Sequence, residues 1–241
     1  MFWRKKSTAT QPCWTSGRFA NKEDHPAETL SETNPPERFL LWIDEVGSVL
    51  VCTSDTITIG HPQASPQPTF ALWAAIASQE VTIRRDASGY LIDPLLRPGK
   101  QPPKSNDVPF EEPQNLQDGD LISLSGGVEF RFRQPHALSQ SARLELLSSH
   151  RTQPTVDGVV LMADSLILGP VSSSHLVIPD AKEECLIYRN AAGKLHCRTK
   201  NRTPGERVES FPLEKPTQLE VGNLNFSYEP IASNSLAARF A

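Results

Sequence analysis

The chain reads as all-β, with two sandwich-type repeats behind a polar N-terminal tail, and three observations carry that reading. Its 241 residues include 21 prolines, well above an average usage of roughly 5%. Each proline removes a backbone donor and clashes with the preceding helical turn, so long helices are nearly excluded. Short segments alternate apolar and polar residues with period two, the pattern of a strand with one buried face. The second half then repeats the first, in the same order.

Residues 1–36 are polar, lack periodicity and end in Asn34-Pro35-Pro36, which predicts a disordered tail. Trp3 and Trp14 stand out there, as a short docking motif or as part of an unstructured extension. From Arg38 onward, strands are expected at 39–43, 49–51, 56–59, 81–83, 90–92 and 121–124. The run Val128-Glu129-Phe130-Arg131-Phe132-Arg133 alternates strictly, placing Val128, Phe130 and Phe132 on one buried face. Residues 70–77 are compatible with either a helix or a strand. Residues 95–112, with Pro98, Pro102, Pro103 and Pro109, predict a long proline-stiffened loop.

Three echoes define the repeat. Gly47-Ser48-Val49-Leu50-Val51 and Ile57-Thr58-Ile59-Gly60 return as Gly158-Val159-Val160-Leu161-Met162 and Leu166-Ile167-Leu168-Gly169. Ile83 precedes Gly89 as Ile187 precedes Gly193. Leu116-Gln117-Asp118-Gly119-Asp120-Leu121 matches Leu219-Glu220-Val221-Gly222-Asn223-Leu224 without a gap. Units of this length are domains rather than solenoid turns. The expected division is a tail over 1–36, domains over 37–136 and 141–232, a linker over 137–140, and a C-terminal tail over 233–241.

A net charge of −4 and a pI near 5.9 give no electrostatic footprint for nucleic acid or an anionic membrane. No apolar run approaches the ~20 residues that cross a bilayer. The basic N-terminus has no apolar stretch behind it and does not read as a secretory signal. A cytoplasmic protein is expected. Cys13, Cys52, Cys185 and Cys197 form no CxxC pair and are expected as small buried hydrophobes. A metal site from Cys185, Cys197, His175 and His196 lacks the usual zinc-ligand spacing, so neither metal nor cofactor is expected.

Over residues 37–136 the chain resembles the forkhead-associated (FHA) family. The carriers are Ile57-Thr58-Ile59-Gly60, Val81-Thr82-Ile83 before a hairpin to Tyr90, and Leu116-Gln117-Asp118-Gly119-Asp120-Leu121-Ile122-Ser123-Leu124, closed by Phe130-Arg131-Phe132. The resemblance reaches 141–232 only through the internal repeat, as a strongly diverged copy. It implies an eleven-strand SMAD/FHA-type β-sandwich whose loops at one end read phosphothreonine peptides and, through the repeat, a second FHA-like sandwich in tandem. It also implies an Arg after the strand-ending Gly, a Ser-Arg-x-His loop whose Ser binds phosphate and whose His braces the loop, and an Asn-Gly pair holding the peptide backbone.

The chain departs at most of these positions. His61 follows Gly60, Ala77 stands where the Ser belongs, and Glu80 stands where the His belongs, with Ser78 one residue away. Pro98-Gly99 replaces Asn-Gly, leaving Gly60 and Gly99 as the matches, both serving the backbone. In the second copy Gly169 is followed by Pro170, which offers no donor, and Val221-Gly222-Asn223 replaces Asp-Gly-Asp. A phosphate carries roughly −1.5 to −2 charges and needs charge-assisted donors to replace water. Each such bond contributes about 1.5–3 kcal/mol, so losing Arg, Ser and Asn costs on the order of 5 kcal/mol, enough to move a micromolar reader to millimolar. Glu80 is expected to add a like charge beside the phosphate, and His61 to be mostly neutral at pH 7.

The expected function is therefore a non-catalytic protein–protein interaction module or signalling scaffold with a degenerate phosphopeptide site. The loop positions Gly60, His61, Ser78, Gly99 and Lys100 are the candidate contacts. The alternative is a phosphothreonine-peptide reader in which Arg97, Lys100 and Lys104 supply the missing charge, its partner being phosphorylated. An enzyme is the least favoured class: no GxSxG elbow, HExxH, P-loop or dinucleotide fingerprint occurs. Asp118 and Asp120 are expected to cap backbone donors. Ser148-Ser149-His150 and Ser172-Ser173-Ser174-His175 place Ser beside His, but neighbours in sequence rarely acquire triad geometry.

Overall fold

The computed structural model describes residues 36–136, 138–200, 210–221 and 223–231. The expected tails, with Trp3 and Trp14, lie outside the described residues apart from Pro36. The described chain is all-β, and the period-two segments become strands because each has one row of side chains to bury.

The first half contributes β1 (Arg38–Ile43), β2 (Gly47–Cys52), β3 (Thr56–Gly60), β4 (Phe70–Trp73), β5 (Val81–Asp86) and β6 (Gly89–Pro94), then β7 (Lys104–Ser105), β8 (Val108–Pro109), β9 (Gln114–Leu116), β10 (Leu121–Ser123) and β11 (Glu129–Arg133). The second half contributes β12 (Ala142–Leu146), β13 (Arg151–Gln153), β14 (Gly158–Leu161), β15 (Ser165–Gly169) and β16 (Leu176–Val177). It ends with β17 (Glu184–Arg189), β18 (Leu195–Lys200), β19 (Ser210–Pro212), β20 (Thr217–Val221) and β21 (Leu224–Ile231). The ambiguous segment 70–77 is a strand at its start: Phe70, Ala71 and Leu72 are all buried, and Trp73 emerges at the end.

These strands form three sheets. A ten-stranded sheet runs β20-β21-β1-β2-β14-β12-β11-β10-β7-β8. A six-stranded sheet runs β13-β4-β3-β5-β6-β9, and a five-stranded sheet runs β16-β15-β17-β18-β19. The two smaller sheets cover opposite faces of the large one. Phe39, Leu41, Val49, Val51, Val160 and Met162 pack into the core beneath the five-stranded sheet. Their alternate neighbours Leu40, Leu50, Cys52, Val159 and Leu161 pack into the core beneath the six-stranded sheet. In β1, β2 and β14, therefore, both faces are buried, because successive side chains on a strand point to opposite sides.

The expected linker, 137–140, falls between β11 and β12, which are hydrogen-bonded neighbours with Phe132 opposite Leu144. The first hairpin of each half pairs with the last strand of the other. β1 lies against β21, with Leu41 opposite Tyr228, and β12 lies against β11. At the middle, β2 and β14 pair in parallel, Leu50 opposite Val159. Side-chain contacts also cross between the halves: Tyr90 Oη donates to Gln140 O at 2.7 Å and lies 3.2 Å from Leu161 O.

The stretch 95–112, expected as one long proline-stiffened loop, contains strands. β7 and β8 form a two-residue hairpin inside it, turning through Asn106 (φ 49°) and Asp107 (φ 66°), the paired left-handed conformation of a tight hairpin turn. Asn106 then stitches the hairpin to the large sheet. Its N donates to Leu121 O at 2.8 Å, and its Oδ1 accepts from Leu121 N at 3.0 Å. Strands this short carry too few residues to show a period.

Candidate binding rim

At the end of β3 the backbone of the segment 77–79 runs against Gly60. A Cβ on Gly60 would lie 2.1 Å from Ser78 O and 2.9 Å from Gln79 Cα, so only glycine fits. His61 N donates to Ala77 O at 3.0 Å, continuing the approach. The turn 125–127, between β10 and β11, closes on the residues just before that segment. A Cβ on Gly126 would lie 2.9 Å from Ala75 N.

Glu80 joins these pieces. Only 7% exposed, its carboxylate accepts from Ala77 N at 2.8 Å through Oε2 and from Ser125 N at 3.1 Å through Oε1. This corrects the expectation that Glu80 stands as a like charge on the rim. It is turned inward because a strand-entry position beneath a returning loop has backbone N–H groups to satisfy, and a carboxylate satisfies two at once. It occupies the bracing position where the FHA resemblance implies a His. The internal repeat held a signal for it: aligning Ile83 with Ile187 places Glu80 on Glu184. Glu184 is likewise buried at 9%.

The remaining candidate residues surround this frame. His61 is half-buried and meets Trp73 edge-on at 5.4 Å between ring centroids, and Trp73 stays 44% exposed. His61 Nδ1 faces Gln63 N at 3.3 Å. A backbone N–H can only donate, so that nitrogen acts as an acceptor and the ring proton sits on Nε2. Ser78 is exposed. Pro98 and Gly99 (φ 76°) form the centre of a turn closed by Lys100 N donating to Arg97 O at 3.1 Å, the type II geometry that Pro followed by Gly favours. The exposed Arg97 and Lys100 then line one shallow cleft with Ala77, Glu80, Leu96 and Pro103. Lys104 belongs to β7 and lies outside that lining.

Asp118 and Asp120 behave as turn caps. Asp118 Oδ1 accepts from Gln134 N at 2.8 Å and Arg133 Nε at 2.9 Å, and Asp120 Oδ2 accepts from Gln117 N at 2.7 Å. Partial burial raises the Asp118 pKa, but the bonds from Gln134 and Arg133 outweigh it and hold the carboxyl below its usual value.

The histidines and cysteines of the second half do not converge on a metal. Cys185 and Cys197 point into the core. His196 is one residue from Cys197 on the same strand and so lies on the opposite face. Among the described residues no group of three or more metal-type ligands occurs. His175 is buried, its Nδ1 accepting from Ile167 N at 3.0 Å and its Nε2 facing Ser139 Oγ at 3.0 Å.

Two further Ser–His contacts form. Ser148 Oγ lies 2.9 Å from His150 Nδ1. Ser210 Oγ lies 3.2 Å from His196 Nδ1, with Asn190 Nδ2 2.9 Å from the ring's other nitrogen. Asn190 Oδ1 accepts from Ala192 N and Lys194 N, both at 2.9 Å, which fixes the amide with its NH2 toward Nε2. Nε2 is then the acceptor and Nδ1–H faces Ser210. A ring whose proton already faces the hydroxyl cannot remove the hydroxyl's proton, so this trio is not arranged as a nucleophile and base.

No family model and no curated protein sequence matches the chain. Among solved structures, one described as a structural and functional analysis of phosphothreonine-dependent FHA domain interactions is similar at 24% identity. The match covers 40% of this chain and 95% of that one, with a TM-score of 0.30.

Proposed function

We propose that the chain is a non-catalytic protein-interaction module of FHA-like type, acting in the cytoplasm and contacting its partner through the rim around Gly60, His61, Trp73, Ser78, Leu96 and Lys100. The observation that carries this reading is the exposed Trp73, edge-on against His61 beside the Ala77–Lys100 cleft. Large aromatic side chains on a rigid frame are the residues that dominate protein interfaces, and Gly60, Gly126 and Glu80 supply the frame. His61 offers one uncharged N–H donor, at Nε2, where the resemblance implies an Arg with charged donors, and this supports a partner that is not phosphorylated. In an affinity capture from native extract, the partner is expected to survive phosphatase treatment and to be lost with Trp73→Ala. A partner removed by phosphatase and indifferent to Trp73→Ala overturns this reading.

One observation favours the second reading. Arg97 and Lys100 line the same cleft as Ala77, the position where the resemblance implies a phosphate-binding Ser. Titration calorimetry separates the two: equal binding of phosphorylated and unphosphorylated threonine peptides is expected. Phosphate-selective binding that disappears in Arg97→Ala or Lys100→Ala would put the phosphothreonine reader in its place.

A further inference from the structure

In the five-stranded sheet, Cys185 on β17 and Cys197 on β18 are diagonal neighbours. Ile187 stands opposite Cys197 and Cys185 opposite Thr199. Their Sγ atoms lie 2.9 Å apart, and both residues are fully buried. Two thiol sulfurs are in contact at that separation, and an S–S bond of about 2.0 Å needs only a small further approach.

The first half shows what packing alone would place there. Its equivalent strands are β5 and β6, with Ile83 opposite Ile92 and Val81 opposite Pro94. Aligning Ile83 with Ile187 puts Val81 on Cys185, and the cross-strand partners of those two isoleucines put Ile92 on Cys197. The same diagonal pair is aliphatic and fully buried in one core and sulfur in the other. Cysteine is smaller than valine or isoleucine, so filling the core does not favour the exchange, and it occurs at both members of one pair.

We propose that Cys185 and Cys197 are a buried dithiol that a peroxide oxidises to an intrachain disulfide joining β17 to β18. One thiolate attacks a peroxide oxygen, the O–O bond breaks, and the sulfur becomes a sulfenic acid as water leaves. The second thiol displaces the sulfenic oxygen as a second water, forming the S–S bond. Two thiols and one hydrogen peroxide thus give one disulfide and two waters, the sulfurs being oxidised and the peroxide oxygens reduced. The Cys197 hydrogen bond and burial raise the Cys185 thiol well above its usual pKa. Reaction therefore proceeds through local opening of the sheet and is slow. Cys52 provides the contrast within the same chain. It is equally buried, and burial pushes its thiol up to about 12 despite the nearby Arg38 charge. It lies in the other core.

The full chain is treated with hydrogen peroxide under native conditions, unfolded in N-ethylmaleimide and digested with trypsin. Peptides 183–189 and 195–198 are expected as one species lighter by two hydrogens than the two reduced peptides, restored by dithiothreitol, with Cys52 recovered as its maleimide adduct. Cys185→Val, which copies the first half, is expected to fold and to abolish the cross-linked species. Recovery of Cys185 and Cys197 as separate maleimide adducts or sulfinic acids overturns the proposal. Oxidation of Cys52 at the same rate as the pair also overturns it.

Discussion

The two halves follow one strand plan and differ at the rim. Gly60 and Gly169 both end a strand where other atoms crowd in. Gly60 meets backbone, Ser78 O at 2.1 Å from a virtual Cβ, whereas Gly169 meets side chains, Glu184 Cγ at 2.8 Å and Ser174 Oγ at 3.2 Å. Each half buries a Glu at the entry to its next antiparallel strand. Beyond the glycine the two halves differ. His61 opens a rim with an exposed Trp73, while Pro170 leads to the two-residue strand β16. Backbone requirements recur in both halves, because a close approach or an orphan N–H group is costly whatever the ligand. Side chains that only face outward are free of that demand.

The sharpest test of the comparison is whether the halves are separable. Phe130 and Phe226 are fully buried in different cores, and truncating either to Ala is expected to destabilise by about 3–5 kcal/mol. Because β1, β2 and β14 feed both cores, urea unfolding of either variant is expected to remain one transition. Two resolved transitions would show that the halves unfold separately.

His175, buried in the second half, comes next. Burial, helped by the nearby His136 and Arg143, lowers its pKa from 6.5 to about 4. Between those values the unfolded chain binds a proton that the folded chain refuses. Its contribution is therefore fully present above pH 6.5 and is lost as pH falls toward 4, by roughly 3 kcal/mol. Denaturant midpoints measured across that window check the slope, and His175→Gln is expected to flatten it.

Glycine substitution probes the difference between the two strand ends. Gly60→Ala forces backbone apart and is expected to cost about 3 kcal/mol. In Gly169→Ala the nearest neighbour is the Glu184 side chain, which can move, and about 1 kcal/mol is expected. Equal losses in urea titrations would break the distinction. A similarly small effect is expected for Glu80→Gln. The amide keeps one acceptor and turns its NH2 toward the other backbone donor, a loss of about 1–2 kcal/mol by the same measurement.

Much of the strand inventory is legible in the sequence because alternation is local. Val128, Phe130 and Phe132 are all fully buried as their spacing predicts. Gly60 and Gly99 are recognisable as backbone positions, and one is a steric requirement and the other a turn centre. Glu80 misleads because a charge in a loop reads as solvated until the loop's own N–H groups are located. Trp73 gives no sequence signal as a rim residue, because it lies inside the apolar run 70–77 and its exposure depends on where β4 stops. The exchange of hairpins does leave a trace. Val49-Leu50-Val51-Cys52 has no alternation, and an unbroken apolar run marks a strand buried on both faces.

Period, turn chemistry and the repeat were set by the order of residues alone, since each depends on neighbours within a few positions or on self-similarity. Which hairpin lies beside which closing strand was decided only by the assembled molecule. An edge strand offers the same ladder of N–H and C=O groups to either hairpin. The choice between them is made by which side chains then meet across the sheet, and those come from opposite ends of the chain.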